Sequence, residues 1–323
     1  MDCVLRRIRI VLLLILVVPL LSGVSPANPS IVEDPLLGEA CRRLMGPDRG
    51  TIIVVDMKAR RSLAILNPQI AFHTAYPPGS IFKLVTASAL LESGRRDPDN
   101  SYHCGNHFSL LGREWTCSVP GGHGNVNMTG ALAHSCSIYF YRLAPSMMRG
   151  EIEAMARRLG LGRSLPLPDG TGTTLAGNVD APYDPRRFID YCVGDDPNLT
   201  VTPWHVANLV SMLIFDRSIS GSFDPPGLPG SVRQIIGNAM ETACIEGTCQ
   251  RIGEMGIRAG GKTGTPGSLL ISGKTHGWFA GYYPPEDPRF VVVVFYEDGN
   301  GQDAVATGGK VLKLLLDYPP PGL

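Results

Sequence analysis

Strand patterns sit at the two ends of this sequence and helical patterns fill the middle, an order that narrows the fold more than any other feature. At the front, Thr51–Asp56 and Ser62–Leu66 are short apolar runs bracketing the basic turn Lys58–Arg61, which reads as a β-hairpin. At the back, Ile257–Thr265, Thr275–Tyr283 and Phe290–Glu297 alternate with turns. Strands at both ends of one α+β domain predict that the N-terminal hairpin completes a sheet built from the C-terminal strands. The middle helices then form a second, helical lobe, and the cleft between the lobes is the expected site.

The middle reads as follows. A lead-in at 28–48 holds a short helix around Leu36–Met45. After the breaker Pro77-Pro78-Gly79, a helix runs from Ser80 to Leu91 and stops at Gly94; it is apolar nearly all round and so is expected to be buried. Residues 97–127 read as loop, and 130–146 as helix broken near Ser135. Glu151–Leu159 is helical, and 163–198 is mostly loop, rich in Pro, Gly and Asp. Thr202-Pro203 starts a helix through Phe215, and Ser231 is expected to cap an amphipathic one. A last helix is expected around Gly309–Leu316.

Ahead of all this, Arg6, Arg7 and Arg9 precede an apolar run from Ile10 to Leu21 and the small-residue stretch Ser22–Ala27. The run is short of the ~20 residues of a spanning helix. Residues 1–27 are therefore expected to be a cleaved signal peptide or a retained anchor, the second making the membrane a partner. Either sends the rest of the chain out of the cytoplasm. Net charge is zero and no basic stripe with interleaved aromatics follows, so nucleic acid is not an expected partner.

Three motifs carry chemistry. Ser80-Ile81-Phe82-Lys83 puts a lysine three residues after a serine at a helix start, so the amine can reach the hydroxyl. Burial lowers a lysine's proton affinity and makes it a base. Ser135-Cys136-Ser137 follows in the broken helix, and Gly261-Lys262-Thr263-Gly264-Thr265 lies on a strand before the turn Pro266-Gly267. The last is not a phosphate loop, because the glycine spacing of that motif is missing.

S-x-x-K, S-x-N and K-T-G in this order resemble the signature of penicillin-binding proteins and serine β-lactamases. Pro77–Lys83, Leu199–Pro203, His276–Tyr282 and Ala306–Gly309 resemble further segments of the transpeptidases, so the likeness runs over about residues 50–316. It implies a transpeptidase/β-lactamase-like α+β fold at 49–318: an antiparallel sheet flanked by helices, with a helical lobe. It also implies roles. Ser80 is the nucleophile, Lys83 its base and Ser135 the proton relay. Ser137, Lys262, Thr263, Gly264 and Thr265 bind substrate, with Lys262 and the two threonines on its carboxylate. The N–H groups of Ser80 and Thr265 form the oxyanion hole. The implied partners are peptidoglycan stem peptides and β-lactams; no cofactor or metal is expected. The implied reaction is D,D-transpeptidation or carboxypeptidation. A class D-type β-lactamase and a non-catalytic β-lactam sensor are the alternatives. Too few residues precede 49 for a glycosyltransferase domain, so a bifunctional synthase is not expected. One residue departs from the pattern: the middle motif ends in Ser137 where the family has Asn, whose amide has both a donor and an acceptor.

Cys3 lies in the leader, leaving seven cysteines, a number that fits an oxidising compartment with at least one left over. Cys104, His107, Cys117 and His123 match no standard zinc module, so a Cys104–Cys117 disulfide is the expectation. The nearby histidines, His134 included, are read as loop or packing residues, and Cys136 as a small packing residue. Cys244 and Cys249 flank a helix end and are left open as a second pair.

Overall fold

The computed structural model describes residues 34–221, 225–266 and 275–320. The leader at 1–27, the lead-in up to residue 33 and Gly267 of the expected turn lie outside the described residues. Among the described residues no helix is long and apolar enough to cross a membrane.

Helix α1 (Pro35–Met45) precedes the hairpin β1 (Gly50–Asp56) and β2 (Arg61–Ile65), followed by the short α2 (Pro68–His73). A 3₁₀ turn at Gly79–Phe82 leads into α3 (Lys83–Glu92). Strands β3 (Tyr102–Cys104), β4 (His107–Leu110), β5 (Arg113–Thr116) and β6 (Gly124–Val126) come next. The helical lobe continues with α4 (Met128–Ala133), α5 (Ser137–Leu143), α6 (Arg149–Arg158), α7 (Pro185–Val193), α8 (Pro203–Phe215) and α9 (Gly230–Ile245). After α10 (Gln250–Glu254), strands β7 (Gly260–Gly264), β8 (Gly277–Tyr283) and β9 (Phe290–Tyr296) lead to α11 (Gly301–Asp317).

The five long strands form one antiparallel sheet in the order β2-β1-β9-β8-β7. Gly50 lies opposite Tyr296 and Asp56 opposite Phe290, so the N-terminal hairpin joins the C-terminal strands as the sequence predicts. Side chains alternate across a strand, and here both faces are covered. Val291, Val293 and Phe295 join the core shared with α8, whereas Val292, Val294 and Tyr296 join the core under α1 and α11. Helix α3 is buried from Lys83 to Leu90, in line with its all-round apolar sequence.

Four expectations are corrected. The 97–127 stretch is not plain loop: β3 pairs with β6 and β4 with β5, two small sheets beside α5. The 163–198 stretch contains α7, started by the Asp184 side chain accepting from the N–H groups of Arg186 and Arg187 and ended by left-handed Gly194. Ser231 sits inside the first turn of α9 rather than at its cap. Helix α11 begins at Gly301, not near Gly309, because the Asn300 side chain accepts from the N–H groups of Gln302 and Asp303.

None of the seven described cysteines is in a disulfide, so the expected Cys104–Cys117 pair is not linked. Cys244 and Cys249 are likewise unlinked; both pack beneath β7, where a Cβ on Gly261 would lie 3.1 and 3.2 Å from their sulfurs.

Candidate active site

The three motifs lie on separate elements that the fold brings together. Ser80 sits in the 3₁₀ turn and Lys83 opens α3. In a 3₁₀ turn residues three apart are eclipsed, so the two side chains share a side. Ser135 and Ser137 flank the junction of α4 and α5, where Ser135 takes a left-handed backbone (φ 56°) that turns the chain between the helices. Lys262 projects from β7, the edge strand of the sheet.

Lys83 and Lys262 are 0% and 1% exposed, so the partners of their amines decide their chemistry. Lys83 Nζ donates to the Ser135 carbonyl (2.8 Å), and it lies 2.8 Å from Ser137 Oγ and 3.4 Å from Ser135 Oγ. Lys262 Nζ lies 2.9 Å from the same Ser135 Oγ and donates to its own neighbour, the Thr263 carbonyl, at 3.1 Å. Burial lowers the Lys83 pKa, partly offset by the Asp195 carboxylate. Burial also pushes Lys262 down to about 7, helped by the positive charge of Lys83.

Two glycines let the Ser80 turn press against the sheet edge. Gly79 is left-handed (φ 53°), and a Cβ there would lie 2.9 Å from Pro266 N and 3.1 Å from Thr265 N. A Cβ on Gly264 would lie 2.6 Å from the Pro78 carbonyl oxygen. Side chains at either position cannot be accommodated without moving backbone. The turn is held from below by the Trp278 indole of β8, which donates to the Pro77 carbonyl at 3.0 Å. The peptide ahead of Ser80 thus packs on the Thr265–Pro266 peptide.

The two threonines expected on the carboxylate have different partners. The buried Thr263 hydroxyl donates to Thr248 Oγ1 at 3.0 Å. The exposed Thr265 hydroxyl accepts from Gly301 N–H at 2.8 Å and keeps its own proton to donate. Ser137, expected on substrate, has its hydroxyl 2.8 Å from Lys83 Nζ.

Sequence comparison agrees with this arrangement. Residues 50–317 match the penicillin binding protein transpeptidase domain. This chain belongs to that family. It is 25% identical over 267 residues to the peptidoglycan D,D-transpeptidase PbpA of Mycolicibacterium smegmatis, covering 75% of this chain and 53% of that protein. It is 25% identical over 277 residues to the stage V sporulation protein D of Bacillus subtilis, covering 77% of this chain and 42% of that one. The chain therefore spans about half the length of the curated relatives it matches. Its fold is that of the penicillin-binding protein PBP2 in a complex with MreC from Helicobacter pylori, with a TM-score of 0.78 at 18% identity over 88% of this chain and 63% of that one.

Sequence reasoning weighed Cys104, Cys117 and His123 as metal ligands and set them aside, and it missed that Cys136 joins them. Cys104, Cys117, His123 and Cys136 converge, with one ligand atom of each within 4.8 Å of all the others. His107, the other histidine of that segment, is elsewhere, its Nδ1 3.2 Å from Glu114 on the β4–β5 hairpin.

Proposed function

We propose that this chain is a serine D,D-transpeptidase that cross-links peptidoglycan through an acyl-enzyme on Ser80. The observation that carries the reading is the single hydroxyl, Ser135 Oγ, held between two buried lysines beside the nucleophile turn. Ser80 Oγ attacks the carbonyl of the penultimate D-Ala while neutral Lys83 takes its proton. The oxyanion is held by the N–H groups of Ser80 and Thr265, a reading supported by the close approach of the neighbouring Gly79 to Thr265. The C–N bond then breaks, and the departing D-Ala amine receives a proton through Ser135. A stem-peptide amine attacks the ester in the second half and frees Ser80. Lys262 and Thr265 anchor the terminal carboxylate, while Thr263 supports the strand from behind.

The names of the matched relatives support the same substrate class. Stem peptides lie outside the cytoplasm, where a basic and apolar leader would deliver the chain. β-Lactams, which mimic the donor, are the expected inhibitors. Mass spectrometry of the full chain with a labelled penicillin, followed over time, tests this. A persistent adduct on Ser80, absent from Ser80→Ala, is expected. An adduct that is lost rapidly means a β-lactamase instead, and a folded protein that never acylates overturns the enzyme reading.

A further inference from the structure

We infer that Cys104, Cys117, His123 and Cys136 form a closed zinc site that fixes the loop carrying Ser135 and Ser137. The four residues come from four places in the chain. Cys104 ends β3, Cys117 follows β5, His123 precedes β6, and Cys136 stands at the junction of α4 and α5. All three sulfurs are buried, and His123 Nδ1 lies 3.2 Å from Cys117 Sγ and 3.6 Å from Cys104 Sγ. Zn–S bonds of ~2.3 Å and Zn–N bonds of ~2.0 Å at a tetrahedral angle put sulfur and nitrogen roughly 3.5 Å apart, between the two observed values. A disulfide would use two of the sulfurs and leave a buried thiol and an imidazole beside it. A single soft divalent ion uses all four donors.

The surrounding loop is built to hold the donors still. Cys117 N–H donates to the Asn106 carbonyl at 2.8 Å, and the Asn106 amide donates to the Val119 carbonyl at 2.6 Å. Gly122 is left-handed (φ 82°), and a Cβ there would run into the Cys104 carbonyl. Paired strands as short as β3–β6 and β4–β5 are marginal by themselves, and a metal supplies the centre they lack. Each thiol gives up its proton to solvent on binding. Four protein donors leave no open position, so the ion has a structural role.

The fourth donor links this site to the one described above. Cys136 N–H is held by the Ala131 carbonyl at 2.8 Å, and its two neighbours both face Lys83. Fixing the Cys136 sulfur from behind therefore fixes the Ser135 carbonyl and Ser137 hydroxyl in front, a positioning role.

Metal analysis of the purified full chain tests the site without any assay of catalysis. About one zinc per chain is expected, lost in Cys104→Ser and His123→Ala. Cobalt(II) exchanged into the wild type should show thiolate charge-transfer and tetrahedral bands. A metal-free, folded protein with a Cys104–Cys117 linkage in a non-reducing peptide map overturns the proposal, as does cobalt without thiolate bands. For the positioning role, chelation should slow penicillin acylation of Ser80 by at least about tenfold, with recovery on adding zinc. Chelated protein that keeps its fold and its full acylation rate overturns that part. A wild type that binds zinc but never acylates sinks the enzyme reading and leaves the metal site standing.

Discussion

Lys83 and Lys262 meet at one oxygen: their amines lie 3.4 and 2.9 Å from Ser135 Oγ. Two ammonium groups on one buried hydroxyl repel each other, so the pair holds fewer than two protons near neutrality. Acylation needs a neutral Lys83, so its rate should rise with pH. It also needs a charged Lys262 on the carboxylate, so the rate should fall again as Lys262 loses its proton above about pH 7. A bell-shaped pH profile of acylation by a carboxylate-bearing β-lactam is the expected result. Lys83→Arg should abolish acylation at every pH, because arginine stays charged. A flat profile contradicts this assignment.

Lys262 also bears on stability. Its folded pKa of about 7 lies below the unfolded value of 10.5, so the unfolded chain binds more protons between those two values. Stability from this group therefore rises with pH across that window and is least below it. Lys262→Met should raise Tm below neutral pH by about 2–4 °C, the shift that roughly 1 kcal/mol gives in a domain of this size. The gain should fade toward pH 10, while acylation is lost throughout. Calorimetry at several pH values checks it.

Gly79→Ala tests the close approach of the nucleophile turn. The substitution forces a methyl against Thr265 and Pro266 and strains a left-handed backbone. Displacing one oxyanion donor should slow acylation about 10²–10³-fold. Stopped-flow acylation rates, with circular dichroism to show an intact fold, are the measurement.

The Ser137 hydroxyl lies 2.8 Å from the amine of Lys83, the expected base. Ser137→Ala should lose one hydrogen bond of about 0.5–1.5 kcal/mol, slowing acylation about 2- to 12-fold. Ser137→Asn restores an acceptor for Lys83 and adds a donor, so it should match or modestly exceed the wild type. A large drop in Ser137→Asn would mean that the hydroxyl is fitted to this site.

The sheet and the three motifs were legible in the sequence because each rests on local signals: alternation, breakers and fixed spacing. Helix α7 was not, although Asp184-Pro185 and Gly194 mark its two ends, because Pro, Gly and Asp crowd the surrounding segment. The start of α11 was hidden by Gly301, Gly308 and Gly309, which weaken a helical reading. Gly308 is there because the Phe279 ring packs where a Cβ would stand. The direction of the Thr263 hydroxyl could not be read, since its partner Thr248 comes from the segment after α9. Nor could the full cysteine cluster: Cys136 completes it from beyond the Cys104–His123 span in which a zinc module was sought, on the far side of α4.

The pairing of β1 with β9 has a consequence for when this chain can work. Asp56 finds its partner Phe290 only after the helical lobe and strands β7 and β8 have been made. Closing so long a loop is slow in any folding chain, since the entropy of closure precedes the reward of contact. Lys262 belongs to the same late-arriving sheet, while Ser80 and Lys83 are made early. A nascent chain therefore carries Ser80 and Lys83 before Lys262 has been made, and the proposed site is complete only once β7 has joined the sheet.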